Sequence, residues 1–125
     1  MSFNAVYVGF IALLAAGVAH AADTAAVNRG SDAFQDQCAI CHTVVEGEGG
    51  DQGPALNGVV GRKAGTIPGF EYSKRFKASG KVWTVTNLDA FLSDPPTFIA
   101  GTKMPYNVGE AKERADIIAY LATTK

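Results

Sequence analysis

The fold class predicted for residues 23–125 is all-α with a thin core, and three features of the sequence predict it. Apolar residues recur at three- and four-residue steps near both ends of that stretch. No run alternates apolar and polar residues in the way a half-buried strand would. Between the two periodic ends lies a long stretch punctuated by glycine and proline.

In the first helix Val27, Gly30, Phe34 and Cys38 share one face, and Asp23 or Thr24 is placed to cap its start. Residues 46–69 then hold more than half of the chain's 14 glycines, together with Pro54 and Pro68. Turns are predicted at Gly49-Gly50, Gly53-Pro54 and Pro68-Gly69. A loop of this length is unusual in a compact domain unless something holds it. A further helix is expected from about Thr86 through Leu88, Phe91 and Leu92. It must end before Pro95-Pro96, because proline disfavours helical geometry in the residue ahead of it. The last helix shows the stripe Ala111, Ala115, Ile118 and Ala122, flanked by Ile117 and Leu121. Glu110 and Glu113 stand in its first turn, where negative charge suits the helix dipole. A chain of about 100 residues built this way has little core of its own. A large apolar cofactor would complete it.

Residues 1–22 read as a leader rather than as part of the fold. Ala5 to Val18 is apolar and uncharged, and Ala19-His20-Ala21 is a small-x-small site, so cleavage after Ala21 or Ala22 is expected. Met1-Ser2-Phe3-Asn4 lacks the usual Lys or Arg. An uncleaved anchor is the alternative, since Ala5 to Ala22 is close to the shortest length that spans a bilayer. Both readings place residues 23–125 outside the cytoplasm. The 47% hydrophobic and 18% charged composition is that of a globular domain. A formal net charge of -1 gives no bulk basic field for nucleic acid or an anionic membrane.

Cys38-Ala39-Ile40-Cys41-His42 is the C-x-x-C-H pattern of covalent haem attachment. Two thiols three positions apart at a helix end face one side and can reach the two vinyl groups of one haem. The imidazole next in sequence then meets the iron from that side. A thioredoxin-like redox pair would need a βαβ context, which the pattern lacks. A disulfide would close a very short loop and leave His42 unexplained. A zinc site would need a fourth ligand beside Cys38, Cys41 and His42. With the leader removed, His42 is the only histidine and Met104 the only methionine. Counting therefore offers Met104, in the turn-like Gly101-Thr102-Lys103-Met104-Pro105, as the second axial ligand. A thioether stabilises ferrous iron and raises the potential relative to two imidazoles. Two filled axial positions suit electron transfer and obstruct oxygen or peroxide chemistry.

With these motifs in place the chain resembles class I cytochromes c, the mitochondrial type and its bacterial relatives, from Gly30 to Tyr120. The resemblance is carried by Gly53-Pro54, Leu56, Gly58, Gly61-Arg62-Lys63, Gly65, Pro68-Gly69-Phe70, Tyr72, Trp83 and Gly101-Thr102-Lys103-Met104. Glu113-Arg114-Ala115-Asp116 and Ala119-Tyr120-Leu121 extend it into the last helix. It implies the cytochrome c fold, with crossed N- and C-terminal helices, short helices and a long loop around one covalent haem c. It implies that the Pro54 carbonyl accepts a hydrogen bond from His42, and that Arg62, Tyr72, Trp83 and Thr102 hold the haem propionates. Gly30 and Phe34 would pack against Ile117 and Tyr120 where the terminal helices cross. The expected function is a periplasmic electron carrier, monomeric and not an enzyme. It would shuttle single electrons between redox proteins such as a membrane-bound donor complex and a terminal oxidase, reductase or dehydrogenase.

Some positions depart from the family pattern. Phe91 stands where many mitochondrial members have tyrosine, and Phe76 replaces another internal polar group. Gln37, Pro96, Thr97, Glu110 and Ala111 occupy places that are often lysine around the exposed haem edge, although Lys103 and Lys112 remain. Docking is therefore expected to depend less on electrostatic steering. An alternative is a sensor or enzyme in which Met104 opens to peroxide, nitric oxide or carbon monoxide.

Overall fold

The computed structural model describes the backbone from Gly17 to Lys125 and the side chains from Thr24 onward. The leader proposed for residues 1–22 lies, for the most part, outside the described residues. Five helices follow in order: α1 (Gly17–Gln37), α2 (Lys74–Lys77), α3 (Val85–Ser93), α4 (Pro95–Phe98) and α5 (Ala111–Leu121). Among the described residues there is no strand, only an isolated antiparallel bridge between Lys63 and Val82. None of the described helices is long and apolar enough to cross a membrane.

Helices α1 and α5 cross, and Gly30 makes the crossing close. A methyl group at Gly30 would lie 1.9 Å from the Asp116 carbonyl oxygen, so only glycine lets the two backbones meet there. Around this point Phe34 and Tyr120 pack with ring centroids 5.5 Å apart, and Ile117 is fully buried. The first stripe holds, with Gly30 and Phe34 buried and Val27 and Cys38 half-buried. The last stripe needs correction. Ala111, Ala115 and Ala122 are exposed, and α5 buries Asp116, Ile117, Ile118 and Leu121 instead. Exposing a methyl group costs little, so the large aliphatic side chains decide which face turns inward.

The caps also differ from expectation at one end. Helix α1 runs back to Gly17, so neither Asp23 nor Thr24 begins it. The alanine-rich residues ahead of Asp23 are the best intrinsic helix formers and carry the helix upstream. Helix α3 starts at Val85, where the Thr84 hydroxyl accepts from Asn87 N–H at 3.1 Å. It ends at Ser93, ahead of the prolines. Pro95 and Pro96 then open α4 in its first turn, where the missing N–H costs nothing. Arg114 joins α5 to α3 through Asp89 at 2.7 Å, and also donates to the Val108 and Gly109 carbonyls.

Residues 38–73 contain no helix, as the glycine-rich composition implies. Their order comes from backbone pairing with residues 81–83. Trp83 N–H donates to Arg62 O at 2.8 Å, Gly61 N–H donates to Trp83 O at 2.8 Å, and Ala64 N–H donates to Lys81 O at 2.9 Å. This short ladder sets Arg62 and Trp83 side by side.

Candidate cofactor site

The site begins where α1 runs out. Cys38 N–H still bonds to Phe34 O at 2.8 Å, and His42 N–H bonds to Cys38 O at 2.9 Å. The turn therefore continues beyond Gln37 and brings Cys38, Cys41 and His42 to one crevice. Cys38 is half-buried, Cys41 is exposed, and both thiols are free. Burial pushes the Cys38 thiol up to about 11, helped by the charges of Glu113 and Cys41. A reactive redox pair needs the opposite shift.

His42 Nδ1 lies 2.9 Å from Pro54 O. A carbonyl can only accept, so Nδ1 carries the proton and Nε2 keeps a free lone pair. Burial lowers the His42 pKa more than the Pro54 bond raises it, which keeps the ring neutral near pH 7. Gly53 is the floor beneath this ring. A methyl there would lie 2.7 Å from His42 Nδ1 and Cε1 and 2.7 Å from Cys41 O.

Arg62 donates to Asn57 O at 2.8 Å and to Ala55 O at 3.3 Å, while its Nε is buried without a partner. Its pKa is pulled down by burial and raised by Tyr72 nearby. A half-buried cation with one buried, orphaned donor is costly unless an anion meets it. Tyr72 has its own pKa raised, chiefly by burial, against a backbone hydrogen bond from Ile67 and the Arg62 charge. Its ring stacks on Phe76 at 5.1 Å. Thr102 Oγ1 accepts from Met104 N–H at 3.2 Å. Ser73 caps α2 and donates through its hydroxyl to Gly101 O at 2.7 Å, which ties α2 to the Met104 segment.

All nine residues singled out by the sequence line the same crevice: Cys38, Cys41, His42, Pro54, Arg62, Tyr72, Trp83, Thr102 and Met104. Its remaining walls are largely apolar, with Leu56, Val59, Phe76, Leu88, Phe91 and Leu92 among them. Two thiols, a neutral imidazole, a thioether, a half-buried guanidinium with an unpartnered Nε and apolar walls are the complement of an iron porphyrin bearing two carboxylates. The residues present fit haem.

A family model described as Cytochrome c matches residues 27–125. The chain belongs to the cytochrome c family. It is 45% identical over 96 residues to the cytochrome c of Sesamum indicum, covering 76% of this chain and 86% of that protein. It is 44% identical over 96 residues to cytochrome c2 of Rhodomicrobium vannielii, covering 76% of each. Among solved structures, cytochrome cH from Methylobacterium extorquens superposes with a TM-score of 0.72 at 39% identity, over 78% of this chain and 98% of that one. The cofactor is accordingly one covalent haem c, and the protein is a mono-haem electron carrier that works with redox partners. When bound, the haem supplies an iron that gains and loses one electron.

Sequence reasoning missed a link at the mouth of the crevice. Gln37 Nε2 donates to Glu113 Oε1 at 2.6 Å, and the Tyr106 hydroxyl donates to Gln37 Oε1 at 2.9 Å. The segment that follows Met104 is thereby fastened to both terminal helices. Gln37 had drawn notice only as a missing lysine, and no spacing rule connects residues so far apart. The departures Phe76 and Phe91 are buried in the crevice wall with rings at 6.3 Å, so two internal polar positions are replaced by apolar contact.

Proposed function

We propose that this protein is a periplasmic, monomeric carrier in which His42 and Met104 are the axial ligands of the haem iron. Cys38 and Cys41 form the thioethers. Pro54 holds the Nδ1 proton of His42, and Arg62, Tyr72, Trp83 and Thr102 receive the propionates. The His42–Pro54 bond carries the reading, because it fixes the tautomer that leaves Nε2 free for a metal. The orphaned Arg62 Nε supports the propionate assignment, and Thr102, bonded to the Met104 N–H, supports placement of the thioether segment.

The chain's residues keep the ligand set constant while the charge changes. Apolar walls exclude water, Arg62 answers a buried anion, and the Ser73–Gly101 bond steadies the strap that carries Met104. A site that changes charge without changing ligands suits a shuttle and not a catalyst. The shuttle would run between a membrane-bound donor complex and a terminal oxidase, reductase or dehydrogenase. Export is supported by the apolar run from Ala5 to Val18 ahead of Ala19-His20-Ala21, and the family match begins downstream of it at residue 27.

Met104→Ala tests the site. The haem should stay attached, the reduction potential should fall, and added imidazole should bind the ferric protein. An unchanged potential removes Met104 from the iron. Mass spectrometry of protein matured in a competent bacterial host tests the rest, with one haem and an N-terminus at or next to Asp23 expected. A start at Met1 or Ser2 would indicate a tethered carrier.

A further inference from the structure

The strap between Gly101 and Gly109 carries Met104, and both of its ends are firmly held. At the start, Gly101 O accepts from the Ser73 hydroxyl, and Thr102 N–H donates to Ile99 O at 3.2 Å. At the far end Val108 is buried, its N–H donates to Leu92 O at 2.8 Å, and Arg114 donates to the Val108 and Gly109 carbonyls. The stretch between Met104 and Val108 is held differently. Pro105, Tyr106 and Asn107 are exposed. Among the described residues these three make one hydrogen bond in all, from the Tyr106 hydroxyl to Gln37 Oε1 at 2.9 Å.

The position, orientation and strength of that one bond suit a latch. Gln37 ends α1 immediately before Cys38, and Tyr106 stands two residues after Met104, so the bond spans the mouth of the crevice that both residues line. Gln37 Nε2 donates to Glu113 Oε1 at 2.6 Å. A carboxylate only accepts, so the amide nitrogen must face Glu113, and the amide oxygen is left to receive the Tyr106 hydroxyl. Gln37 and Glu113 are half-buried, whereas Tyr106 is 48% exposed. Water can therefore replace Tyr106 while the Gln37–Glu113 pair stays in place. A hydrogen bond in competition with water shifts an equilibrium by about twofold to tenfold. That is too little to hold the fold, and enough to set how often the strap opens.

We propose that Tyr106 is a positioning residue that acts through Met104: its hydroxyl, received by the Gln37 amide that Glu113 orients, latches the strap and sets the rate at which the thioether leaves the iron. With the latch closed, the strap is tied on both sides of Met104 within two residues, at Thr102 and at Tyr106. With it open, the next tie beyond Met104 is Val108, and residues 105–107 are free to move out with the thioether. A small neutral ligand enters only during that interval. The latch thus governs access to the site and leaves the closed ligand set as it is. It depends on the hydroxyl of Tyr106 and on the two-sided amide of Gln37, neither of which carries charge.

The inference rests on the axial role given to Met104, and the two fail separately. The probe is imidazole, mixed in increasing concentration with the ferric holoprotein while the haem absorbance is followed. The iron–sulfur bond breaks, an iron–nitrogen bond forms, and the iron stays ferric throughout. In the parent the binding rate should level off at high imidazole, at the rate of strap opening, and Met104→Ala should abolish the plateau. A plateau that survives Met104→Ala overturns the axial reading and the latch with it. Tyr106→Phe, which removes only the hydroxyl, should raise the plateau about threefold to tenfold. Its reduction potential, haem spectrum and guanidinium unfolding midpoint should match the parent's, whereas a merely structural role would move the midpoint. Gln37→Leu should raise the plateau at least as far, and adding Tyr106→Phe to it should raise the plateau no further. A Tyr106→Phe plateau equal to the parent's, or effects that multiply in the double variant, would overturn the latch and leave Met104 on the iron.

Discussion

Gly30→Ala is the sharpest single test of how the terminal helices meet. The added methyl would sit 1.9 Å from the Asp116 carbonyl oxygen, 2.5 Å from its carbon and 2.9 Å from Tyr120 Cβ. A carbon–oxygen contact becomes comfortable only near about 3.3 Å, so α1 and α5 must separate by more than about 1 Å. The obstacle is backbone, which cannot rotate away as a flexible side chain would. Separation would loosen Phe34 and Tyr120 and open the fully buried Ile117. Overpacking costs about 1–3 kcal/mol and occasionally more, and a backbone obstacle places this case at about 3 kcal/mol or above. Helix propensity acts the other way, because alanine in place of glycine favours a free helix by about 1 kcal/mol. The sign of the result therefore decides between the two. Guanidinium unfolding of the holoprotein, followed by far-UV circular dichroism and Trp83 fluorescence, measures it. A variant as stable as the parent, or more so, would refute the close crossing.

Two further substitutions address neighbouring parts of the structure. The Asp116 carboxyl is held down to about 2 chiefly by hydrogen bonds from Arg29 and Lys112, which outweigh the opposing effect of burial, with the two positive charges adding a lesser pull. A carboxyl lowered on folding contributes fully above its ordinary value and loses that contribution as pH falls through the folded one. The stability gap between the parent and Asp116→Asn should accordingly be constant above about pH 5 and shrink as pH falls toward about 2. A gap that stays the same across that window would show that Asp116 is not the titrating group. Gly53→Ala places a methyl 2.7 Å from the His42 ring. It should perturb the His42–Pro54 bond, lower the haem yield and shift the potential of whatever holoprotein forms, and normal yield with normal potential would place the His42 ring elsewhere.

The legible part of the site was the part whose chemistry is local. Cys38, Cys41 and His42 lie within one turn, so their spacing alone shows that they face one way. Met104 was reached by elimination, because the chain offers no other soft donor once the leader is set aside. The resemblance supplied Pro54, Arg62, Tyr72, Trp83 and Thr102, and the crevice brings them together. The ladder that sets Arg62 beside Trp83 was not readable, since a single bridge between loops leaves no alternation in the sequence.

Where the reading failed, it had treated unequal things as equal. Periodicity scored Ala111, Ala115 and Ala122 as highly as Ile117 and Leu121, although alanine gains little from burial and the larger side chains set the face of α5. A total charge of -1 also hides position, since residues 30–61 hold five acids and no Lys or Arg while residues 62–81 hold six cations and one acid. Sums and periods discard size and position, and packing and docking depend on both. Gln37 shows the same loss at one residue. As a missing lysine it means one less positive charge, but in the fold its amide bridges Glu113 and Tyr106 across the strap that follows Met104. A neutral amide both donates and accepts, whereas an ammonium only donates. Lysine at position 37 could reach the two groups only by donating to both, with Tyr106 turned from donor to acceptor, so counting one lost charge leaves out the fastening that Gln37 provides.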